Sequence, residues 1–402
     1  MTAEWIKASA PPPATASTPP AGRSPVNPSF RQISMKIDAV ILRELRMPLV
    51  SFFETSFGRT TERRILLVEI LAEGHSGWSE VTCGETPFYS HETTDTARHI
   101  LRDFAVPMVL HRQFGAPHEL QAMMRLIRGH QMARAALENA ACELQARLAG
   151  EPLWRWIGGV RREIPCGVSI GIKNNIEDLL ETIGRERAAG YQRIKVKIKP
   201  GWDLEVLRRI RERFPQVPLM ADANSAYTLD DLERLLAMDA FQLTMIEQPL
   251  WYDDIQAHAR LQRELKTAVC LDESIHHLRD AEEAVQAGAC RVINIKLGRV
   301  GGFSSARAVH DAAERAGIPV WCGGMLESGI GRAHNIALST LPNFSLPGDV
   351  SASGRYWRED IIEPEVTVSA RGVIAAPMAP GLGFEVKRDL IRRLTVWEER
   401  LT

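Results

Sequence analysis

Three acidic residues close short apolar runs at equal intervals: Asp222 ends LMAD, Glu247 ends TMIE and Asp272 ends VCLD, each 25 residues after the last. That interval is about one strand-plus-helix unit, so the three acids fall at equivalent places on consecutive strands and are expected to converge on one point. Converging carboxylates repel and raise one another's pKa. A hard divalent ion with oxygen ligands resolves that conflict. A single acid after a strand is more simply a cap for the following helix. Three in step, followed by Asn224, Gln248-Pro249 and Ser274, favour a metal.

Lysines flank this set. The run RIKVKIK, residues 193–199, alternates Lys195, Lys197 and Lys199 with Ile194, Val196 and Ile198, which puts the lysines on one face of a strand. Neighbouring cations and partial desolvation lower a lysine pKa, so Lys197 beside Lys195 can act as a general base near neutral pH. Lys296 ends INIK, 24 residues after Asp272, and is expected to face the metal from across the site. A lysine on each side of a metal-held substrate suits removal and return of a proton α to a carboxylate. Taken singly, the first lysines read as a charged edge strand and Lys296 as an ion pair; five groups in one register are harder to explain that way.

The elements that must position these residues are legible in pattern. After Arg162, short β-branched runs recur with amphipathic stretches between them: IPCGVSI, RIKVKI, VPLMAD, LTMIE, AVCLD, RVINIK and IPVWCG. Alternation of this kind implies parallel strands joined by crossover helices, and the length fits an α/β fold of (β/α)8 barrel type. The eighth strand is expected near NFSLPGD. Upstream, MKIDAVILREL, RRILLVEILAEG and WSEVT read as a small antiparallel sheet, and residues from Thr94 to Ala149 as helical. The expected organisation is a Pro/Ala/Ser-rich disordered extension over 1–34, an α+β domain over 35–160, the barrel over 161–365 and a C-terminal segment over 366–402.

Composition narrows the partners. The chain has 402 residues, with 49 Lys and Arg against 50 Asp and Glu. A net charge of −1 offers no footprint for nucleic acid or an anionic membrane, so a small-molecule carboxylate is the expected partner. Six dispersed cysteines without a CxxC pair argue against a disulfide framework or a zinc ribbon. With no long apolar span and no signal-like leader, a cytoplasmic homo-oligomer is expected.

At KVK, DAN, IEQP, LDES and INIKLGRVGG the sequence resembles the enolase superfamily, muconate-lactonizing subgroup. MPLVSFFETSFG, CGGMLESGIGRAHNIALSTLPNFSLPGDVSAS and PGLGFEV are similar to o-succinylbenzoate synthases that are also N-acylamino acid racemases. The resemblance implies an enolase-like barrel with an α+β capping domain over 35–160 that closes over its mouth and to which the C-terminal segment 366–402 returns. It implies metal ligands Asp222, Glu247 and Asp272 for Mg²⁺, with Mn²⁺ as the alternative ion, and acid/base roles for Lys197 and Lys296. Lys195 would tune Lys197, and Asn224 would support the metal site. Residues 48–59 and 84–91 would form an apolar lid, bringing Phe53 and Tyr89 to the substrate. Gly323 and Glu327, after the seventh strand, are further candidate contacts. The sequence reads WSE at 78–80 where relatives have WGE.

The implied reaction is dehydration of a cyclohexadiene carboxylate to o-succinylbenzoate, as in menaquinone biosynthesis, through an enediolate. The alternative is racemisation of N-succinyl or N-acyl amino acids, with dipeptide epimerase or muconate cycloisomerase-like chemistry behind it. Mandelate-racemase-like chemistry would place a histidine where this chain has Trp321-Cys322-Gly323. A Schiff-base aldolase would leave three acids unexplained, and a non-catalytic scaffold would leave all five groups unexplained.

Overall fold

The structure is a computed structural model that describes residues 33–402; the disordered extension expected over 1–34 falls, but for its last two residues, outside them. The chain first builds a meander of β1 (Ala39–Glu54), β2 (Arg59–Ala72) and β3 (His75–Val81), paired antiparallel. Its inward face carries Val40, Leu42, Leu66, Val68 and Ile70, and helix α1 (Gln131–Leu148) covers that face with Ala133, Ala136, Leu137, Ala140 and Leu144. Small residues on both sides let helix and sheet come close. A Cβ on Gly77 would lie 2.3 Å from the Ala140 carbonyl oxygen.

All seven strand runs are found: β4 (Gly167–Ile170), β5 (Arg193–Lys197), β6 (Leu219–Asp222), β7 (Ile246–Glu247), β8 (Val269–Leu271), β9 (Val292–Ile295) and β10 (Val320–Cys322). They pair in parallel, in chain order. The eighth position is not a regular strand. Residues 343–349 close the ring through two isolated bridges, Phe344 to Val320 on β10 and Gly348 to Cys166 beside β4. Pro342 and Pro347 have no amide hydrogen to donate to a ladder, which limits pairing there to single bridges. Two crossover helices matter below: α2 (Phe303–Arg315) after β9, and α3 (Gly329–Ser339) after β10.

Cap and barrel are joined at several levels. Pairing between β1 and β2 slips between Pro48 and Phe53, and the Val50 amide in that stretch donates instead to the Tyr356 carbonyl at 2.9 Å. The Ile172 amide donates to the Glu54 carbonyl, also at 2.9 Å. On α1, buried Glu138 accepts the Ser304 amide in the first turn of α2 at 2.9 Å. Finally β11 (Thr395–Leu401) returns from the far end of the chain and pairs antiparallel with β1.

All six cysteines are free and buried. Among the described residues no helix is long and apolar enough to cross a membrane.

Candidate active site

Period-two alternation stacks the barrel interior in layers. Met220, Met245, Cys270, Val292 and Trp321 form an apolar floor. Two residues further along their strands come Asp222, Glu247, Asp272 and Asn294, so the same inward face turns from apolar to charged within one pleat. Trp321 supports the cations: the Arg193 guanidinium and the Lys195 ammonium each lie 4.8 Å from its ring centre. Lys195 and Lys197 are 3% and 7% exposed, which excludes a solvated edge strand. Lys199 lies past the end of β5, half exposed, 3.6 Å from Glu54.

Helix capping does not account for the acids. The helical turns after Asp222, Glu247 and Asp272 take their caps from Thr228, Asp254 and His277. Instead Lys197 Nζ donates to Asp222 Oδ2 at 2.6 Å and to Asn224 Oδ1 at 2.7 Å. Lys195 Nζ lies 2.8 Å from Glu247, 3.0 Å from Asp222 and 2.7 Å from Asp349. Lys296 Nζ donates to Asp272 Oδ2 at 2.8 Å and to the Tyr89 hydroxyl at 2.9 Å. Asn224 and Gln248, just beyond two of these acids, hold φ of +43° and +37°. Left-handed backbone at such residues is tolerated where the surroundings fix it.

The three carboxylates belong to one inward-facing layer, but equal spacing does not put them at one level of the ladder. Lys197 faces Asp222 and Asp222 faces Glu247 in the ladder, but Glu247 faces Cys270, two residues before Asp272, and Cys270 faces Val292, four before Lys296. Strands tilt as a barrel closes, so equal spacing in sequence is not equal register. Asp222 and Glu247 come within hydrogen-bonding reach of each other. Asp272 accepts hydrogen bonds from Lys296 and from Arg299, whose NH1 donates to its Oδ1. Among the described residues, the His/Cys/Asp/Glu group whose ligand atoms all lie within 4.8 Å is His310, Asp311 and Glu314, on α2. Both ring nitrogens of His310 are engaged there, by Asp311 and by the Asn343 amide.

The electrostatics distinguish the members. Burial pushes the Lys197 pKa down and Lys195 adds to the effect, against the pull of Asp222; the net shift is downward. Burial acts on Lys296 in the same sense, but Tyr89, Glu273 and Glu247 outweigh it and raise its pKa. For Lys195, burial is overcome by Asp349, Glu247 and Asp222, so it stays charged. Burial opposes ionisation of Asp222, yet Lys197 and Lys195 hold it ionised; burial and Asp222 push Glu247 up. Glu273, beside Asp272, is raised to about 7 by burial, and its Oε2 has no hydrogen-bond partner.

Two linked chambers open onto these groups. The inner one includes Ser169, Lys195, Glu327, Arg332, Asn335 and Tyr356. The outer one, about 350 Å³, lies under the cap loops and includes Phe57, Arg59, Thr86, Phe88 and Met325. Phe53, Lys197, Lys296, Gly324 and Leu326 line both, so the two lysines stand at the waist. Tyr89 and Glu327 reach the cavity as expected, and Asn224 lines the outer chamber. Gly323 does not line it. It is buried against Asn294, whose Oδ1 would lie 2.4 Å from a Cβ at that position, and Gly324 takes its place on the wall. The sequence reading passed over Arg299, Asp349 and Asn294. Asn294 donates to Glu247 at 2.7 Å, and Asp349 holds both Lys195 and Arg193.

The profile of the Mandelate racemase / muconate lactonizing enzyme N-terminal domain matches residues 36–158, and that of the Enolase C-terminal domain-like family matches residues 178–390. The chain belongs to the enolase superfamily. Within the superfamily it is 52% identical over 364 residues to a protein of Geobacillus kaustophilus named o-succinylbenzoate synthase, covering 90% of this chain and 97% of that one. It is 47% identical over 368 residues to the N-succinylamino acid racemase of Thermus thermophilus, covering 92% and 100%. A crystal structure of an enolase-superfamily member from Listeria innocua superposes with a TM-score of 0.87 at 38% identity, covering 91% and 99%. The barrel with its capping domain is thus the enolase-superfamily architecture.

Proposed function

We propose that this protein is a divalent-metal-dependent o-succinylbenzoate synthase that dehydrates a cyclohexadiene carboxylate. The observation that carries the proposal is the pair of lysines at the cavity waist with opposite electrostatic settings, Lys197 lowered and Lys296 raised, above a layer of carboxylates. The names of the relatives at 52% and 45% identity, from Geobacillus kaustophilus and Bacillus subtilis, support the same substrate.

Enolase-superfamily sites use a divalent metal, and the ion proposed here is Mg²⁺. The donor set fits: Asp222, Glu247 and Asp272 are buried at the ends of consecutive strands, cations of the chain already bind each of them, and every candidate ligand is a hard oxygen. Asp222, Glu247 and Asp272 would hold the ion. When bound, it supplies Lewis-acid stabilisation of negative charge building on the substrate carboxylate.

The residues of the chain do the rest. Lys197, as the neutral amine, takes the proton α to the carboxylate, and the electron pair passes into the enediolate. Lys296, kept protonated, steadies that charge. Lys197 then returns the proton to the departing hydroxyl, so that the C–O bond breaks, water leaves and the ring becomes aromatic. Phe53, Phe57 and Tyr89 line the outer chamber, where apolar rings over a bound substrate would limit water at the waist. A second reading, racemisation of N-succinyl amino acids, is favoured by the presence of both lysines on one cavity. Lys197 removes the α proton from one face and Lys296 delivers a proton to the other.

The test is turnover by the purified protein, with Mg²⁺ and after chelation. The cyclohexadiene precursor is followed by loss of ultraviolet absorbance, and N-succinyl amino acids by polarimetry. Fast, metal-dependent dehydration supports the synthase. Racemisation alone moves the activity to the second reading, and turnover of neither substrate overturns both.

A further inference from the structure

The loop over residues 323–328 joins β10 to α3 and supplies much of the cavity wall: Gly324, Leu326 and Glu327 to the inner chamber, Met325 to the outer. Leu326 sits at φ +58°, a left-handed conformation that a leucine does not hold unaided. The far end of this loop is fixed from another domain. Ser328 is the N-cap of α3, but its own side chain makes no capping bond. Its amide and hydroxyl donate instead to Glu80 Oε2 on the cap strand β3, at 2.9 and 2.6 Å. The N-cap residue of α3 is therefore held by a carboxylate 248 residues earlier in the chain, while the first helical amide, that of Gly329, donates to Asp360 Oδ1 at 2.7 Å.

Fit around this contact is close. A Cβ on Gly331 would lie 2.8 Å from both Glu80 Oε2 and the Glu327 Cβ, so α3 must present a glycine there. Next to Ser328, the Glu327 carbonyl accepts Arg332 at 2.8 Å and Trp357 at 3.1 Å, and its carboxylate accepts Asn335 at 2.9 Å. Glu80 itself is 4% exposed and lines neither chamber.

We propose that Glu80 is a positioning residue: by holding Ser328, where the loop enters α3, the cap domain sets the place of Leu326 and Glu327 and so the shape of the wall against which the substrate packs. The cap body then acts on specificity from behind the barrel loop, independently of its lid residues. The inference rests on the functional reading above only for the choice of substrate.

Hydrogen exchange by mass spectrometry and steady-state kinetics on the full chain test it, comparing wild type with Glu80→Ala, Glu80→Gln and Ser328→Ala. In Glu80→Ala, exchange across residues 323–332 should quicken about tenfold or more, and KM for an N-succinyl amino acid or the cyclohexadiene should rise about tenfold with kcat little changed. Glu80→Gln keeps an oxygen acceptor for Ser328 and should restore most of both; Ser328→Ala should fall between. Unchanged exchange in the folded variants, or faster exchange with unchanged KM, overturns the proposal. If Glu80→Ala does not fold, Ser328→Ala against Glu80→Gln decides by the same two readouts. A wild type that turns over neither substrate while Glu80→Ala still loosens residues 323–332 defeats the substrate assignment and leaves the anchoring role supported.

Discussion

The two sides of the waist are built differently. Lys197 has both its hydrogen-bond partners, Asp222 and Asn224, on the barrel; Lys296 has Asp272 on the barrel and Tyr89 on the cap. Burial acts on both lysines in the same direction, and what separates them is company: a second lysine beside Lys197, a phenol and acids around Lys296. At Lys197 burial prevails, helped by Lys195 against Asp222 and Glu247; at Lys296 Tyr89 on the cap and Glu273 and Glu247 on the barrel outweigh burial. The Lys197 ammonium takes both its partners from the barrel, whereas that of Lys296 takes one from the cap and so depends more directly on how the cap is seated.

Arginine exchanges strain this contrast hardest. Arginine does not release its proton, so Lys197→Arg should lose both reactions by roughly 10²–10⁴-fold, the range for a general base. Lys296→Arg keeps a cation and should hold dehydration within about tenfold while losing racemisation as fully. Rates on the two substrates decide, and equal losses in both variants would erase the distinction.

The dependence on cap seating can be sharpened through pH. Burial raises the Glu80 pKa from 4.5 to about 7, with Glu327 pushing the same way and Ser328 and Arg63 opposing. The folded state therefore holds this proton more tightly than the unfolded chain. The stabilisation is full below about pH 4.5 and is lost as pH rises through about 7, a difference of about 3 kcal/mol for a fully buried group. Unfolding free energies of wild type and Glu80→Gln should diverge by that order between about pH 4.5 and 8. A gap that does not vary with pH would mean that Glu80 is not the group that titrates.

Metal binding should reveal the barrel side on its own. At Mg²⁺ near 100 times its Kd, the wild type should gain about 2.7 kcal/mol of stability in calorimetry, and Asp222→Asn almost none. Equal gains would remove Asp222 from the ligand set. The smallest effect is expected at Tyr89. Tyr89→Phe deletes the hydroxyl that accepts from Lys296 and Arg299, and a loss near 1 kcal/mol corresponds to about a fivefold change in kcat/KM. If Tyr89→Phe impaired the Lys197 step as much as the Lys296 step, measured by exchange of the α proton from each enantiomer, the division between the two sides would fail.

Much of this was legible because strands impose a period of two. Acids and lysines at strand ends, two residues beyond an apolar floor, reveal their direction without any tertiary information. The departures have physical causes. The stagger of a tilted barrel is invisible in linear spacing: equal intervals predict one ladder level, whereas Asp272 lies two residues beyond the partner of Glu247 and bonds to Lys296 and Arg299. Arg299, Asn294 and Asp349 are ordinary residue types whose partners lie on other strands or loops, and only closure of the ring brings them in; LGR after Lys296 was the one local hint. At Gly323 and Gly324 a single residue decides which faces the cavity. Glu80 reads as part of a WSE motif, and nothing local announces that it holds the N-cap residue of a helix in another domain.

The pairing of β11 with β1 has a consequence for how the molecule is made. Arg43 and Glu398, ion-paired across that ladder, are 355 residues apart in the chain, so the sheet that begins the fold cannot be completed until the entire barrel has been synthesised between its strands. Until then β1 has an unsatisfied edge, a site for pairing with the wrong chain. Closing so long a loop is entropically affordable only after the intervening barrel has condensed and brought the two strands near each other. The barrel should therefore fold first and template its own lid, and refolding should show a late phase in which Trp397 becomes protected after the barrel signals have settled.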